Sequence, residues 1–370
     1  MKSVGIICEY NPFHNGHVYH IQKVKELFPD YLIVLVMSGN FTQRGEVSLI
    51  DKWKKTDIAL NYVDLVVELP FVFASQSADV FARGACDILK NLNVEALVFG
   101  SESDNVSSLD EFARVQETLE YNNLVKSYLD KGLNYPTCLS KALDDICGES
   151  VDRPNDLLGL SYVKELIGSG VKYYSIKRTN DYLNNKLGDF ISSGTSIRNA
   201  LKNGIDIKKY IPSCSYKHLK NVRFTSDYFD LIKYRIISDD ISKYQTVDEG
   251  IENRLKKVIN GVNSLDELIE KVKTKRYTYN KICRMLIHIL TGFTKEEANN
   301  IKTEYIRVLG FNKKGKNYLK KIKKETSVPI IVNFEKGNKY LDIESRVSSI
   351  YNLIKKDDNL SEHQHKPIIH

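Results

Sequence analysis

A chain of 370 residues with 42% hydrophobic and 27% charged side chains is ordinary for a globular protein of two domains. No apolar run approaches the roughly 20 residues that cross a bilayer, and no signal cleavage site follows the apolar residues near Met1, so we expect a cytoplasmic protein without a membrane partner. The six cysteines form no C-x-x-C pair, which argues against a zinc site and against a disulfide framework.

Strands and helices alternate along the first 200 residues. Apolar runs rich in β-branched residues predict strands at residues 4–8, 31–37, 64–69, 96–100 and 172–177. Helical spacing predicts helices at residues 14–28, 53–61, 77–92 and 196–203, with a longer helical stretch at about 107–168. This order predicts an α/β fold, in which a Rossmann-like parallel sheet is covered on both faces and binds its ligand at the carboxyl ends of the strands.

After Pro212 the pattern becomes mostly α-helical and basic. Helices are predicted at residues 229–241, 250–259, 264–273, 279–290 and 295–309, with a short strand at 329–333 and a frayed tail over the last ten residues. We therefore expect two domains, residues 1–212 and 213–370. Residues 201–370 carry 34 Lys and Arg against 21 Asp and Glu, whereas residues 1–200 carry 20 against 26. This asymmetry favours a nucleic acid partner for the second half, although a lysine-rich solvated surface gives the same count.

The most specific signal is the H-x-G-H turn that follows the first predicted strand. His14 and His17 project from the same side of the predicted helix start, and Gly16 between them leaves the backbone open to a close ligand. A helix N-terminus also offers free N–H donors and a positive partial charge. These groups predict a phosphate cradle, for which a chance pair of surface histidines is the alternative.

This turn resembles that of the nucleotidyltransferase superfamily, whose members bind ATP in the same crevice and attack its α-phosphate. They carry a second motif of the form S-[ST]-x-[IV]-[RK] near the end of the domain. The segment ISSGTSIR at residues 191–198 fits this motif, with Thr195 and Arg198 in the matching places. Gly194 stands where many relatives have serine, so one hydroxyl contact is in question.

Longer blocks narrow the resemblance to one family. The chain resembles the bacterial tRNA(Met) cytidine acetate ligase family over residues 1 to about 355, in the blocks MKSVGIICEYNPFHNGHVYHI, VMSGNFTQRGE, DLVVELPF, FARGACDIL, FGSE, RPNDLLGLSYV and KRYTYNKICRML. That family is understood to activate acetate with ATP as acetyl-AMP and then to acetylate N4 of the wobble cytidine of elongator tRNA(Met). The resemblance implies an ATP-dependent ligase that uses Mg²⁺ with the ATP phosphates, binds acetate and tRNA(Met), and does not bind DNA.

The resemblance also implies the site residues. The expected catalytic residues are His14 and His17 at the α- and β-phosphates, and Thr195 and Arg198 at the departing β- and γ-phosphates. The expected ATP-binding residues are Ile7, Cys8, Glu9, Tyr10, Asn11, Pro12, Phe13, His14, Asn15, Gly16, His17, Val18, Tyr19, His20, Gly100, Asn155 and Arg178. Gly100 leaves room for adenosine at a strand end, Asn155 offers an amide to adenine or ribose, and Arg178 suits a phosphate. A turn glycine, a helix N-cap and a surface arginine are the structural alternatives.

Two further positions near the strand ends allow more than one interpretation. Residues 38–46 (SGNFTQRGE) form either a mobile loop that closes over the acid or the phosphates, or an exposed connection. Glu68 lies near the end of the third predicted strand, where it faces the crevice or makes structural hydrogen bonds.

Basic and aromatic residues alternate in the second half of the chain. Residues 273–285 contain the expected tRNA-binding residues, and residues 312–324 (NKKGKNYLKKIKK) have a similar composition. Cations neutralise phosphates while aromatic rings stack on splayed bases, although a solvated helix face has the same pattern. The expected tRNA-binding residues are Lys275, Arg276, Tyr277, Lys281 and Arg284.

Two other functions stay open at this point. An adenylyltransferase acting on a phosphorylated cofactor precursor would explain the H-x-G-H turn but not the basic second half. A non-catalytic RNA-binding protein with a relict nucleotide fold would explain the second half, but His14, Gly16, His17 and Arg198 are all intact. No residue can be assigned from the sequence as the base for acetyl transfer.

Overall fold

A computed structural model describes residues 1–178, 190–274, 277–334, 337–355 and 361–370. Within these residues, eight strands form one sheet in the order β5-β4-β1-β2-β3-β6-β7, with β8 paired to β6. The strands are β1 (Ser3–Cys8), β2 (Leu32–Ser38), β3 (Leu65–Leu69), β4 (Ala96–Ser101), β5 (Lys172–Lys177), β6 (Ile306–Phe311), β7 (Ile330–Ile331) and β8 (Ile368–Ile369). Strands β1 to β5 are mutually parallel, whereas β6 runs antiparallel to β3.

Helices cover both faces of this sheet. Those between the first five strands are α1 (Asn15–Leu27), α2 (Lys52–Ala59), α3 (Phe71–Ala74), α4 (Ala78–Asn91), α5 (Val106–Val115), α6 (Leu119–Asp130), α7 (Tyr135–Cys147) and α8 (Pro154–Leu166). Those that follow are α9 (Gly194–Lys202), α10 (Ser213–Tyr216), α11 (Phe229–Ser238), α12 (Ile251–Val258), α13 (Leu265–Val272), α14 (Tyr279–Thr291), α15 (Lys313–Ile322) and α16 (Lys339–Tyr351).

The central strands are mostly apolar and buried because both of their faces are covered. Each residue of β2 is buried. Val34 and Val36 pack into one hydrophobic cluster, whereas Ile33 and Leu35 pack into a second cluster on the opposite face. Continuous Val, Ile and Leu runs are typical of such strands. The predicted α/β fold and its five parallel strands are therefore confirmed.

The helix predicted at residues 295–309 is wrong. Thr294 and Glu297 do exchange the reciprocal hydrogen bonds of a helix start, at 3.0 and 3.1 Å. However, both carboxylate oxygens of Glu297 also bind the guanidinium of Arg346 at 2.9 Å, and the chain makes turns over residues 295–300. Ile306–Phe311 then adds an antiparallel strand to β3. Pairing with the sheet overrides the local helical spacing.

The prediction of a frayed tail is also wrong. Ile368–Ile369 forms β8, which pairs with β6, and the ring of His365 stacks on that of Trp53 with centroids 4.4 Å apart. Glu362 is buried with its carboxylate 2.6 Å from Arg307. These contacts hold the segment against the sheet edge.

A buried cluster of charges connects this segment to the central sheet. Lys52 on α2 has its ammonium 2.5 Å from Glu68, 3.1 Å from Glu362 and 3.4 Å from Glu344, and Arg307 reaches Glu68 at 3.1 Å. All five side chains are buried. Of the two interpretations of Glu68, the structural one is therefore correct. Because β6 to β8 come from beyond Pro212, the sheet itself extends across the proposed domain division, which stays a prediction.

Candidate active site

The H-x-G-H turn positions two neutral imidazoles in one defined tautomer. Nδ1 of His14 accepts the Gly16 main-chain N–H at 3.0 Å, and Nδ1 of His17 accepts the His14 main-chain N–H at 3.2 Å. The two rings stack with centroids 3.8 Å apart. Because both Nδ1 atoms act as acceptors, each neutral ring carries its proton on Nε2. Both histidines therefore offer an Nε2–H donor.

Burial keeps these rings uncharged. Burial and, after it, the charges of Arg178 and Arg198 together lower the pKa of His14 to about 3. Burial also lowers the pKa of His17 well below its ordinary value, followed by the effect of His14 itself. The pKa of His20, one helical turn later, is lowered to about 4 by burial and then by Arg178. The cations of the site are therefore arginines, and the histidines are neutral donors.

Gly16 is required by the packing of His14. A Cβ atom at Gly16 would lie 2.8 Å from Cε1 and 3.0 Å from Nδ1 of the His14 ring. Real Cβ contacts are not that short, so any side chain would displace the imidazole from its hydrogen bond. The glycine therefore fixes the histidine and also opens the backbone.

The second motif lies directly against this turn at the start of α9. Nη1 of Arg198 donates to the main-chain oxygen of Asn11 at 2.8 Å, and Nη2 donates to Thr195 at 3.2 Å and to Glu46 at 2.9 Å. A Cβ atom at Gly194 would lie 3.1 Å from the Asn11 oxygen, which explains the small residue at this position. The four predicted catalytic residues are thus brought together.

These residues line one large cavity at the carboxyl ends of the strands. Its volume is about 1550 Å³, above the roughly 300–1,000 Å³ of ordinary small-molecule pockets. Thr195, Arg198, Gly100, Asn155 and Arg178 line it. The residues of the predicted segment 7–20 that line it are Ile7, Cys8, Glu9, Tyr10, Asn11, His14, Gly16, His17, Tyr19 and His20.

Four residues of that segment have structural surroundings instead. Phe13 is buried with its ring 5.0 Å from that of Tyr62, and Val18 packs against the same hydrophobic cluster. The Asn15 amide donates to the main-chain oxygens of Phe190 and Lys209 at 3.1 and 3.0 Å. Pro12 is also buried. These residues shape the turn, and a direct contact with ATP stays a prediction for each.

Glu102 is a site residue that the sequence did not reveal. Its carboxylate accepts the main-chain N–H groups of Asn155 and Asp156 at 3.1 and 3.0 Å, and the Asn155 side-chain amide also donates to it. Asp156 in turn accepts the main-chain N–H of Glu102 at 3.0 Å. Glu102 therefore caps α8 and orients Asn155. The sequence signal that could have identified Glu102 is a carboxylate directly after the end of β4, in the FGSE block at residues 99–102.

Arg178 follows β5 and stands beside Gly100. Burial lowers the pKa of its guanidinium, and within the described part of the chain its Nε has no hydrogen-bond partner. A Cβ atom at Gly100 would meet the Arg178 side chain at 3.5 Å, an ordinary contact. The protein packing therefore does not itself demand glycine here, and the prediction that a ligand demands it stays open.

Residues 38–46 are not an exposed connection, and their role as a loop that closes over the acid or the phosphates stays a prediction. The main-chain N–H of Gln43 donates to Oε1 of Glu9 at 2.6 Å, and a Cβ atom at Gly45 would lie 2.2 Å from the main-chain nitrogen of Arg284. Gly45 also has a φ of +76°. The segment therefore packs between Glu9, which directly follows β1, and the main chain of α14 at Arg284.

The basic segment before and within α14 was predicted to bind tRNA, and the structure supports this for only part of it. Lys275 and Arg276 lie outside the described residues. Tyr277 is buried, its hydroxyl donates to the main-chain oxygen of Asp248, and the Lys281 ammonium lies 4.4 Å from its ring centroid. Tyr277 therefore does not present a ring face for base stacking. Lys281 and Arg284 line the same cavity as the H-x-G-H turn.

The lysine-rich helix α15 lies at the opposite end of the sheet. The hydroxyl of Tyr318 lies 2.7 Å from that of Ser3 at the start of β1, and a Cβ atom at Gly315 would lie 2.2 Å from the oxygen of Asp64 just before β3. These are the amino ends of the strands. The seven lysines of residues 312–324 are exposed there, on a surface remote from the cavity.

Two kinds of feature are missing from the part of the chain that the structure describes. It contains no group of three or more His, Cys, Asp or Glu side chains able to hold a metal ion. No helix in it is both long enough and apolar enough to cross a membrane.

Known proteins are similar to this chain in sequence and in fold over nearly its whole length. A family model described as HIGH Nucleotidyl Transferase matches residues 1–366. The tRNA(Met) cytidine acetate ligase of Anoxybacillus flavithermus is 39% identical over 98% of this chain and 97% of its own, and that of Bacillus subtilis is 36% identical over 100% and 97%. The chain belongs to the tRNA(Met) cytidine acetate ligase family of HIGH nucleotidyl transferases. The family inferred from the sequence blocks is confirmed.

Solved structures of TmcAL from Thermotoga maritima have the same fold. The apo form matches with a TM-score of 0.93 and 30% identity, covering 100% of this chain and 99% of that chain. A second form, bound with alpha-thio ATP, matches with a TM-score of 0.90 and 31% identity over the same shares. The likeness at this identity supports ATP binding by this chain.

Proposed function

We propose that the chain is an ATP-dependent ligase that activates acetate as acetyl-AMP and transfers the acetyl group to N4 of the wobble cytidine of elongator tRNA(Met). The observation that carries this proposal is the single cavity lined by the H-x-G-H turn, by Arg198 of the second motif and by Lys281 and Arg284 of α14. Its volume exceeds that of a pocket for one small ligand. The names of the relatives support the same reaction.

In the first half-reaction, an acetate oxygen attacks the α-phosphorus and pyrophosphate leaves. Negative charge builds on the non-bridging and departing oxygens, and fixed donors stabilise it. The Nε2–H groups of His14 and His17 suit the α- and β-phosphates, and Arg198 with Thr195 suits the departing phosphates. The two histidines have an advantage here, because each neutral ring already carries its Nε2–H and can donate it to a phosphate oxygen without first taking up a proton.

Adenosine is assigned to the side of the cavity that contains Gly100, Asn155 and Arg178. Asn155 is already oriented by Glu102, so its amide is presented in a fixed direction. Mg²⁺ enters as part of the ATP substrate, because the described residues offer no carboxylate cluster for a resident metal.

In the second half-reaction, the cytosine amine attacks the acetyl carbon. Its lone pair is delocalised into the ring, so positioning supplies much of the rate. Lys281 and Arg284 line the same cavity, where they suit the phosphates or base edges of an RNA loop. Since the acceptor is a tRNA, we place the reaction in the cytoplasm.

A double-label experiment tests this function. The protein is incubated with tRNA(Met) and either ¹⁴C-acetate or α-³²P-ATP. A ligase transfers the acetyl label to tRNA and releases labelled AMP, whereas an adenylyltransferase leaves the phosphorus label on its product. Phosphorus label on the acceptor, or no acetyl label in tRNA, contradicts the proposal. A tRNA with uridine at the wobble position is the matched control, and we expect it to stay unlabelled.

A further inference from the structure

Acetyl transfer to cytidine releases a proton that needs an acceptor. The N4 amine forms a bond to the acetyl carbon while the bond from that carbon to the AMP oxygen breaks. The electron pair of the broken bond leaves with AMP, and one amine hydrogen leaves as a proton. A group that takes this proton within the cavity contributes roughly 10²–10⁴-fold to such a step.

The histidines of the H-x-G-H turn are unsuited to accept it. Nδ1 of both His14 and His17 already accepts a main-chain N–H, and Nε2 carries the remaining proton of each neutral ring. His20 lies beside Arg178, on the adenosine side of the cavity. The base is therefore to be sought among the carboxylates.

Among the described residues, four carboxylates line the cavity, and they differ in position. Glu46 is bound to Arg198 at 2.9 Å, so its charge is already engaged. Asp79 lies in the first turn of α4, where it accepts a hydrogen bond from Ser161, and Glu249 lies in the turn before α12. Glu9 alone directly follows the central strand β1, at the edge where parallel sheets place reacting groups.

We propose that the Glu9 carboxylate is the base that takes the N4 proton during acetyl transfer, an inference that rests on the proposed function. The Gln43 main-chain N–H fixes Oε1 at 2.6 Å. Within the described part of the chain no hydrogen bond to Oε2 is found, and Glu9 lines the cavity. The Lys55 ammonium holds the main-chain oxygen of Glu9 at 2.9 Å, so the backbone that carries this carboxylate is also fixed.

The surroundings of Glu9 favour a basic carboxylate. Burial raises the pKa of Glu9, and the Gln43 hydrogen bond and the charges of Arg44 and Lys55 oppose this rise only in part. A raised pKa makes the Glu9 carboxylate a stronger base than an ordinary glutamate. The titratable groups packed around it are Cys8, Arg44, Glu46, Lys55 and Tyr162.

The two half-reactions differ in their need for this base. Acetate attacks ATP as an anion, so activation has no proton to remove. The amine must lose one, so only the transfer step depends on Glu9. A purely structural role for Glu9 would instead damage both steps together, because the carboxylate anchors the 38–46 segment beside the H-x-G-H turn.

The test compares Glu9→Gln with the exposed control Glu120→Gln. Acetate-dependent ATP–pyrophosphate exchange reports activation, and single-turnover discharge of ¹⁴C-acetyl-AMP from the enzyme to tRNA reports transfer. We expect Glu9→Gln to keep exchange within about three-fold and to lose roughly 10²–10⁴-fold in transfer, with Glu120→Gln unchanged in both. Unsubstituted protein should transfer more slowly as pH falls through the Glu9 pKa, and the variant should lose that dependence.

Several outcomes overturn the inference. Transfer by Glu9→Gln at the parental rate overturns it, and so does an equal loss of exchange and transfer, which assigns Glu9 to the architecture of the site. If Glu9→Gln does not fold, Glu9→Asp and the pH profile of the unsubstituted protein decide. A transfer rate that does not fall when the pH is lowered to about 4, where an ordinary glutamate takes up its proton, then excludes a carboxylate base. Absence of exchange and transfer in the unsubstituted protein overturns the proposed function itself.

Discussion

The main-chain nitrogen of Arg284 occupies the space that a side chain at Gly45 would need. A Cβ atom at Gly45 would lie 2.2 Å from that nitrogen and 2.7 Å from the Arg284 Cα. Through this contact the 38–46 segment joins α14, which carries the proposed RNA contacts, to the strand that carries Glu9. The helix proposed to bind tRNA thus touches the segment that is hydrogen-bonded to Glu9, the proposed base for acetyl transfer.

The first prediction is that Gly45→Ala damages both stability and acetyl transfer. The alanine must adopt a φ near +76° and also displace the start of α14, so we expect a loss of more than about 2 kcal/mol in unfolding free energy. Urea unfolding and single-turnover transfer measure the two effects. Gly132→Ala is the matched control, because Gly132 has a φ of +81° but open space around it. It should lose only about 1 kcal/mol and no activity. Equal behaviour of the two variants contradicts the contact.

The second prediction concerns Gly16→Ala. The new methyl group displaces the His14 ring, so acetate-dependent exchange should fall by roughly 10-fold or more, whereas stability should change by less than about 1 kcal/mol because alanine favours a helix. Gly261→Ala, which has nothing within 4 Å of its Cβ position, is the control. Normal exchange by Gly16→Ala would show that the position of the His14 ring is unimportant.

The third prediction is that His17→Ala lowers the exchange rate by roughly 10²–10³, the usual loss for one transition-state donor. Loss of its Nδ1 acceptor for the His14 N–H should also cost about 1 kcal/mol in stability. ATP affinity, measured by calorimetry, should change much less than the rate. His218→Ala serves as a control outside the cavity, since His218 binds Asp57 at 3.0 Å. Parental exchange by His17→Ala would make the site assignment wrong.

The fourth prediction is that Lys52→Met destabilises the protein strongly. Its ammonium is buried among Glu68, Glu344 and Glu362, and removing it leaves more buried negative charge than Arg307 can balance, at about 3–5 kcal/mol. Lys54→Met removes the partly exposed pair with Asp51 at 3.5 Å and should cost less than about 1 kcal/mol. Urea unfolding of both variants measures the difference. Similar midpoints would mean that the buried cluster adds nothing to stability.

The fifth prediction separates the two basic surfaces. Because Lys281 and Arg284 line the cavity and α15 lies at the other end of the sheet, their double alanine variant should weaken binding of an isolated anticodon stem-loop. Each lost phosphate contact should also make the salt dependence shallower by somewhat less than one unit of slope. Lys320→Ala with Lys321→Ala should leave stem-loop binding unchanged. The reverse pattern would place the RNA loop at α15.

The sequence predicted what depends on local pattern. Continuous apolar runs identified the five parallel strands, because both sheet faces are covered. The H-x-G-H spacing correctly predicted that His14 and His17 lie side by side at the start of a helix. Long-range pairing was not predictable in this way. The antiparallel strand Ile306–Phe311, the capping of α8 by Glu102 and the burial of Tyr277 all depend on partners distant in sequence. Local periodicity contains no information about such partners.

The buried charge cluster also has a consequence for the order in which this protein acquires its structure during synthesis. Lys52 meets Glu344 across 292 residues, and Ser3 meets Tyr318 across 315. A ribosome adds roughly 5–20 residues per second, so the amino-terminal strands wait many seconds for these partners. During that interval Lys52 and Glu68 lack most of the charges that later surround them. The nascent chain therefore exposes the unpaired edge of β3 until translation has passed Phe311, and it completes the charge cluster only after Glu362.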